Sequence, residues 1–338
     1  MAGCGARTAD LVAVPARSLA TIGAPPVVDG RLRFREIFCS VLALRHGQDQ
    51  SNRCQDYLWR LADEKSEAVA PVQLPPHDPR VRIVIVPGSF SECFSEAAQP
   101  YRSGVQQLQS LGYRIDTVAI SGRSGSDTNA RLIAHALEQI PVVADERLML
   151  LGYSKGTVDI LHFLVNYPKQ AARVNSVVSI AGAVNGSPLA DQSATLYALF
   201  GAYLPLARCG PGDHQVVADL RPTVRLQWLA THQLPSHARY FSLAAFTERA
   251  RVARALFFTA GMLAQIDPQN DGQLLARDMI IPGGTLLGYA RADHWAVAIS
   301  IEDDFPFLAG RPGVQDHFPA DVLFEAMVLF VIEQLSTP

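Results

Sequence analysis

The sequence has few charged residues and no large excess of either sign. Asp, Glu, Lys and Arg make up 18% of the 338 residues, and the formal net charge is −3. Nucleic acids and anionic membrane surfaces attract clustered positive charge, so neither is expected as a partner. The chain also lacks an apolar run of the roughly 18 residues that a membrane-spanning helix needs. It has no internal repeat and no low-complexity tract.

The five cysteines show no CxxC pair and no grouping with histidine. No metal site and no cofactor are therefore expected. Four of the five form an even set that an exported protein tends to pair in disulfides: Cys39, Cys54, Cys93 and Cys209. Two helical runs around the polar turn 46–52 predict a Cys39–Cys54 disulfide in an exported protein. The alternative is that all four thiols are buried and reduced, which is common for cysteine.

The first residues of the chain carry the remaining cysteine. Met1-Ala2-Gly3-Cys4-Gly5 resembles the end of a bacterial lipoprotein signal, with Met1 where a leucine would stand. This pattern predicts a lipid anchor at Cys4 and a periplasmic or envelope location. The alternative is a cytoplasmic protein in which these small residues precede a cysteine by chance.

The pattern of apolar residues changes near residue 80. Residues 1–75 form an extension of helical character, and the proline-rich stretch Ala70 to Arg80 is typical of a linker. From residue 80 to 338, short apolar strands, many of their residues β-branched, alternate with amphipathic helices. This alternation predicts an α/β fold with a mostly parallel sheet and helices on both faces. An irregular insert at about 185–237 interrupts it. Ligands in such sheets bind where strands end.

One serine stands between two glycines at such a strand end. Gly152-Tyr153-Ser154-Lys155-Gly156 separates the apolar strand "RLMLLGY" from an amphipathic helix. A sharp turn there would push the Ser154 hydroxyl outward, and the glycines would remove side chains that collide in it. The helix N-terminus would direct free N–H groups at the same place. We therefore expect Ser154 to be a nucleophile rather than only a turn residue.

A serine nucleophile needs a base and an acid that orients this base. His294 follows the last strand, "GTLLGYARA", directly, whereas its rival His317 lies far beyond it. In this fold class the acid lies between the serine and the histidine along the chain. Asp271, in Asn270-Asp271-Gly272, is the preferred acid. The other aspartates of the region are two alternative acids and a residue that flanks the base: Asp267, Asp278 and Asp293.

Acyl transfer also needs donors for the negative charge that develops on the carbonyl oxygen. The backbone N–H of Lys155 follows the nucleophile directly. The loop "VPGSFSECF" follows the first core strand, and Gly88 would let its backbone approach closely. We expect the second donor to be the N–H of Ser89, although Phe90 could supply it instead. Phe90 is also a candidate for contact with substrate.

These motifs together resemble an α/β-hydrolase of the bacterial lipase and esterase kind, over roughly Arg80 to the C-terminus. "GYSKG" is similar to its nucleophile elbow, "VPGSF" to its oxyanion loop and "QNDGQL" to its acid-bearing turn. Asp271 and His294 lie 294 − 271 = 23 positions apart, similar to the spacing in that group. Pro87 replaces the usual histidine, and Lys155 is uncommon after the serine. Residues 1–75 have no counterpart in the resemblance.

The resemblance implies a serine hydrolase that cleaves carboxylic esters, with a small-molecule or lipid ester as substrate. The insert occupies the place of a lid, and its apolar residues Leu199 and Phe200 would contact an acyl chain. The insert could equally be packing. A thioesterase or acyltransferase would use the same residues, and a non-catalytic binding protein would keep only the fold.

Overall fold

The structure is a computed structural model, and the parts of the chain that it describes are 25–47, 54–64, 73–74, 78, 80–93, 99–192, 210–299 and 318–336. Five of the residues to which the sequence analysis assigned a role lie outside these ranges: Cys4, Leu199, Phe200, Cys209 and His317. The lipid anchor, the two acyl-chain contacts and the alternative base therefore stay predictions. Among the described residues, no helix combines the length and apolar character that crossing a bilayer requires.

A parallel sheet of seven strands forms the centre of the described structure. The strands are β1 (Val28–Asp29), β2 (Val81–Val86), β3 (Arg114–Thr117), β4 (Arg147–Tyr153), β5 (Val174–Ile180), β6 (Arg239–Ala245) and β7 (Thr285–Ala290). Their order across the sheet is β1-β7-β6-β5-β4-β2-β3, and every neighbouring pair is parallel. All carboxyl ends of the strands therefore meet at one edge of the sheet.

Helices cover both faces of this sheet. They are α1 (Arg31–His46), α2 (Arg102–Ser110), α3 (Ser126–Gln139), α4 (Lys155–Asn166), α5 (Pro168–Ala171), α6 (Pro222–Thr231), α7 (Phe257–Leu263) and α8 (Ala320–Ser336). Helices α1, α2 and α8 pack together, and α3 packs against α4 and α5. Short 3₁₀ turns connect several of these elements.

Residues of strand β2, which lies between β4 and β3, alternate between the two faces of the sheet. Ile83 and Ile85 pack into one core with side chains of α1 and α8. Val84 and Val86 pack into a second core with α3 and α4. All four are fully buried, which explains why residues 83–86 form a continuous apolar run rather than an alternating pattern. The expected α/β fold with a parallel sheet and helices on both faces is confirmed.

The N-terminal segment, residues 25–47 and 54–64, joins this sheet at its β7 edge. Strand β1 pairs with β7, and Leu58 forms an antiparallel bridge with Ala290 further along the same strand. A disulfide links Cys39 of α1 to Cys54, with 5.3 Å between their Cα atoms. The second run that we expected to be helical is instead a 3₁₀ turn at 54–56 followed by this bridge, because its backbone pairs with β7. The domain boundaries stay predictions.

The described part of the insert, residues 185–192 and 210–237, packs beside α3 and α4. Its helix α6 contributes Arg225, which is 1% exposed and donates to the carbonyl oxygen of Val184 at 3.2 Å. Trp228 of α6 stacks on His162 of α4, with 4.4 Å between ring centroids. The apolar stretch that would cover an acyl chain lies outside the described residues, so the role of the insert as a lid stays a prediction.

Candidate active site

Ser154 stands alone between the end of β4 and the start of α4. Its φ of 56° and ψ of −126° belong to a conformation that L-residues adopt rarely. A Cβ at Gly152 would lie 2.6 Å from the backbone of Thr157, and one at Gly156 would lie 2.2 Å from the carbonyl oxygen of Val86. Both glycines are therefore required by backbone atoms that pass close to them. The turn that they permit leaves Ser154 partly exposed.

The backbone around Ser154 is held on both sides. Its N–H donates to the carbonyl oxygen of Ile180 at 3.0 Å. Its carbonyl oxygen accepts from the N–H groups of Thr157 and Ala183, each at 3.2 Å. These contacts connect the turn to α4 and to the end of β5, so the uncommon conformation of Ser154 is stabilised by its neighbours.

His294 lies between Ser154 and Asp271. Its Nε2 is 2.8 Å from Ser154 Oγ, and its Nδ1 is 2.6 Å from Asp271 Oδ2. The imidazole and the carboxylate are buried, at 2% and 0% exposure, whereas the hydroxyl belongs to a partly exposed residue. An imidazole that acts as the base needs both contacts. One ring nitrogen accepts the hydroxyl proton, and the carboxylate orients the ring through the other nitrogen.

Asp271 is fixed by its own turn. Its Oδ1 accepts from the N–H groups of Gln273 and Leu274, at 2.8 and 2.7 Å. Its backbone oxygen accepts from the N–H of His294 at 2.8 Å. Gly272 has a φ of 92°, which is the left-handed region that favours glycine. The Asn-Asp-Gly sequence therefore makes a turn that leaves one carboxylate oxygen, Oδ2, for the imidazole.

Asp293 does not hold the imidazole but fixes the loop that carries it. Its Oδ1 accepts from the N–H groups of Trp295 and Ala296, at 3.0 and 2.9 Å. Its Oδ2 accepts from the N–H of Ala253 at 2.6 Å. Burial raises the pKa of Asp293 to about 6, against the opposing effect of these N–H donors. Sequence reasoning placed this residue only as a neighbour of His294 and missed its contact with Ala253.

The two alternative acids have other partners. Asp267 lies 3.2 Å from the guanidinium of Arg277. Asp278 accepts from the side-chain amide of Asn185 at 3.4 Å. Burial raises the pKa of the Asp278 carboxyl. Neither carboxylate contacts His294 among the contacts of the described residues.

Two backbone N–H groups near Ser154 have no acceptor among the residues that the structure describes. Lys155 is the first residue of α4, where a backbone N–H has no acceptor within the helix. No acceptor for the N–H of Ser89 is found in the described part of the chain. The N–H of Phe90, by contrast, donates to the carbonyl oxygen of Gly122 at 3.0 Å. Ser89 and Lys155 thus remain the candidate oxyanion donors, and the amide of Phe90 is already engaged.

The side chain of Lys155 is engaged inside the protein. Its Nζ donates to Asp159 Oδ1 at 2.5 Å, and both side chains are buried. Asp159 Oδ2 accepts from Asn129 of α3 at 2.8 Å. Sequence reasoning noted Lys155 as uncommon but missed its partner, although Lys and Asp four positions apart lie on one face of a helix. The ammonium group therefore pairs within the α3–α4 layer.

No grouping of His, Cys, Asp and Glu side chains with the geometry of a metal site occurs among the described residues.

No protein-family model matches this chain, and no curated protein matches it. Among solved structures, the metagenomic carboxyl esterase MGS0156 superposes with a TM-score of 0.81 at 36% identity, over 95% of this chain and 97% of that one. The mature lipase BlEst2 of Bacillus licheniformis superposes with a TM-score of 0.53 at 23% identity, over 70% and 94%. The second likeness concerns the fold alone.

Proposed function

Since this chain belongs to the α/β-hydrolase family of carboxyl esterases, we propose that it hydrolyses carboxylic esters with Ser154, His294 and Asp271 as its catalytic residues. The observation that carries this proposal is the continuous chain of hydrogen bonds, 2.8 Å from Ser154 Oγ to His294 Nε2 and 2.6 Å from His294 Nδ1 to Asp271. The partly exposed position of Ser154 supports it further, because a substrate carbonyl has to reach Oγ.

The proposed reaction has two stages. His294 accepts the hydroxyl proton while Ser154 Oγ attacks the ester carbonyl, and the backbone N–H groups of Ser89 and Lys155 stabilise the oxyanion. His294 then gives the proton to the leaving alcohol, and an acyl-enzyme remains. Water attacks this acyl group with the same base and releases the acid. Asp271 orients the imidazole and stabilises its protonated form.

The test is the Ser154→Ala variant. Loss of the nucleophile should lower kcat for a p-nitrophenyl ester by about 10⁴-fold or more, because all parts of the triad act together. Ser176→Ala is the matched control, since Ser176 is a fully buried serine within β5, four residues before its carboxyl end. A fluorophosphonate probe should label wild type and Ser176→Ala but not Ser154→Ala. Turnover near wild type in Ser154→Ala would refute the proposal.

We also propose that the protein works in an oxidising compartment, the periplasm or the cell envelope. The Cys39–Cys54 disulfide supports this location, and Cys93 is disulfide-bonded as well. Disulfides persist in such compartments and are rare in a reducing cytosol. Alkylation of thiols in intact cells, followed by mass analysis of the peptides, tests it. Alkylated Cys39 and Cys54 in protein from its native cells would indicate a cytoplasmic enzyme instead.

A further inference from the structure

Asn129 of α3 holds a backbone loop that lies outside its own helix. Its Oδ1 accepts from the N–H of Ser121 at 3.0 Å, and its Nδ2 donates to the carbonyl oxygen of the same residue at 3.1 Å. Nδ2 also donates to Asp159 Oδ2 of α4 at 2.8 Å. The side chain of Asn129 is 0% exposed, so these three hydrogen bonds are shielded from water. Asn129 therefore joins the loop after β3 to the helix that follows Ser154.

The other end of this connection reaches the residue after the nucleophile. Asp159 Oδ1 accepts from Lys155 Nζ at 2.5 Å, and both side chains are buried. The backbone nitrogen of Lys155 is one of the two proposed oxyanion donors. A buried ion pair contributes little net stability, because the loss of hydration offsets most of the attraction between the charges. Stability alone therefore does not account for an ion pair directly behind Ser154.

The loop that Asn129 holds touches the oxyanion loop. Gly122, the residue after Ser121, accepts from the N–H of Phe90 at 3.0 Å. A Cβ at Gly122 would lie 2.5 Å from the backbone nitrogen of Phe90 and 2.7 Å from its Cα. Phe90 has a φ of 61°, which is uncommon for a residue with a side chain, so contacts from outside the loop are needed to keep its backbone in this conformation. The contact with Gly122 thus fixes the peptide that directly follows Ser89.

The oxyanion loop also lies against the nucleophile. A Cβ at Gly88 would be 3.0 Å from Ser154 Cβ and 3.3 Å from the carbonyl oxygen of Tyr153. The proposed donor N–H of Ser89 comes directly after this close approach. A shift of the loop would therefore change the distance between the Ser89 donor and the Lys155 donor. Such donors stabilise an oxyanion only where they are already in place as the charge develops.

We propose that Asn129 is a positioning residue for the two oxyanion donors. Asp159 anchors it to the helix that starts at Lys155. Its contacts with Ser121 set the place of the loop that binds Phe90. One buried side chain thereby fixes the relative position of both donors, although it contacts no substrate atom. Its effect should appear in kcat rather than in KM, because the donors act mainly on the transition state. This inference rests on the proposed function.

The experiment is a double-mutant cycle of Asn129→Ala and Gly122→Ala. The methyl group of Gly122→Ala would collide with the backbone of Phe90, so this variant displaces the oxyanion loop directly. Each single variant should lower kcat for a p-nitrophenyl ester about 10- to 100-fold, with KM changed less than about threefold. Because Asn129 acts through the same contact, Asn129→Ala should lower kcat less than about threefold further in the Gly122→Ala background. Losses that multiply, or wild-type kcat in either single variant, would overturn the inference.

Asn175→Ala is the matched control for a loss of stability. Asn175 Oδ1 accepts from the N–H of Leu148 at 2.8 Å, but this contact lies near the amino ends of β5 and β4. Both asparagine variants should lower Tm, and only Asn129→Ala should lower kcat when the folded proteins are assayed. An equal loss of kcat in Asn175→Ala would show a general structural effect and would overturn the inference.

Asn129→Asp is a conservative variant of nearly unchanged volume. It keeps the acceptor for the N–H of Ser121, and a proton shared between the new carboxyl and Asp159 replaces one of the two lost donations. We expect it to recover part of the kcat that Asn129→Ala loses, with about 3- to 10-fold less kcat than the wild type. Where Asn129→Ala does not fold, Asn129→Asp takes its place in the cycle, and its loss should disappear in the Gly122→Ala background.

An inhibitor that mimics the tetrahedral intermediate gives an independent measurement. A trifluoromethyl ketone that adds to Ser154 should inhibit Asn129→Ala more weakly, by the same factor as the loss of kcat/KM, because the oxyanion donors bind the adduct. Asn175→Ala should keep the inhibition constant of the wild type. An unchanged inhibition constant in Asn129→Ala would overturn the inference.

The outcomes also distinguish this inference from the proposed function. Wild-type kcat in Asn129→Ala, together with an inactive Ser154→Ala, would overturn the positioning role and leave the serine hydrolase proposal intact. Turnover near wild type in Ser154→Ala would refute the hydrolase proposal and this inference with it.

Discussion

The N-terminal segment and the insert are held to the rest of the protein by different kinds of contact. The N-terminal segment is joined by backbone pairing with β7, by the Cys39–Cys54 disulfide and by ion pairs such as Arg45–Glu325 at 2.6 Å. The insert is joined mainly by side chains. Asp213 and Asp219 accept from the N–H groups of Gly125 and Ser126 at the start of α3, at 2.8 and 2.5 Å.

The guanidinium of Arg225 and the imidazole of His162 form a further contact between the insert and α4. Arg225 Nη1 lies 2.8 Å from His162 Nε2, and His162 Nδ1 lies 2.8 Å from Asp127. Arg225 cannot lose its proton, so His162 must accept at Nε2 and donate from Nδ1. A covalent link and a β-ladder do not depend on pH, whereas this contact does. The two additions should therefore respond to different perturbations.

The largest expected effect is the loss of the disulfide. Cys39 and Cys54 are 15 positions apart, and closing a loop of this length is worth about 3 kcal/mol in the chain-entropy model. The double variant Cys39→Ser/Cys54→Ser should lower the free energy of unfolding by about that amount, measured by urea denaturation. Below its unfolding midpoint its kcat should equal that of the wild type. A fall in kcat in the folded variant would show that the N-terminal segment shapes the active site.

The next effect concerns the attachment of the insert. Arg225→Ala removes the hydrogen bonds to His162 and Val184. It also leaves a space against the face of the Trp228 ring, whose centroid is 4.8 Å from Arg225 Cζ. We expect a loss of about 2 kcal/mol in unfolding free energy. Limited proteolysis should cut within 210–237 faster than in the wild type. Arg221→Ala, at the residue that precedes α6, is the control. Equal rates of cleavage in the two variants would contradict this account of the insert.

Acid should weaken the same contact. Burial, with a smaller contribution from the Arg225 charge, lowers the pKa of His162 to about 4 from its ordinary 6.5. Asp127 and Asp219 oppose this shift. Between pH 6.5 and 4 the unfolded chain binds a proton at His162 that the folded protein does not bind, so stability falls as pH falls.

The slope within that window is at most about 1.4 kcal/mol for each pH unit. Urea midpoints of wild type and His162→Gln, measured between pH 7 and 4.5, should converge toward acid. Parallel curves for the two proteins would show that His162 does not carry this dependence.

The smallest effect should come from Asp213. This exposed carboxylate accepts from Gly125 N–H at 2.8 Å and from Thr128 Oγ1 at 2.7 Å, beside the N-terminus of α3. Asp213→Asn removes the negative charge near the helix dipole and should cost about 0.3–1 kcal/mol. The difference from wild type should shrink in 1 M NaCl, because exposed charges are screened. A difference that does not change with salt would point to hydrogen bonding alone.

Much of the fold was accessible from the sequence because it depends on local patterns. The apolar run of β2 predicted a strand buried on both faces, and Ile83 and Val84 do pack into opposite cores. Gly152 and Gly156 predicted a sharp turn. The prediction of a second helical run in the N-terminal segment was wrong, because the pairing of Leu58 with Ala290 overrides the local helical preference there.

The interactions of side chains far apart in sequence were less accessible. The Asn-Asp-Gly turn and the family resemblance favoured Asp271 over Asp267, but the local sequence does not show which carboxylate contacts His294. The contact of Asp293 with Ala253 was missed because the two residues are 40 positions apart. The Lys155–Asp159 pair is local and was missed although the spacing of four positions on a helix indicates it.

The sequence by itself determined the alternation of strands and helices after residue 80 and the need for glycines at the Ser154 turn, because hydrophobic periodicity and backbone sterics act over a few residues. Only the tertiary structure decided which groups meet. Ser154 and His294 are 140 positions apart and lie within 2.8 Å because parallel strands end at one edge of the sheet. It likewise decided that the backbone N–H of Phe90 donates to Gly122, because this contact joins two loops that the sheet brings together.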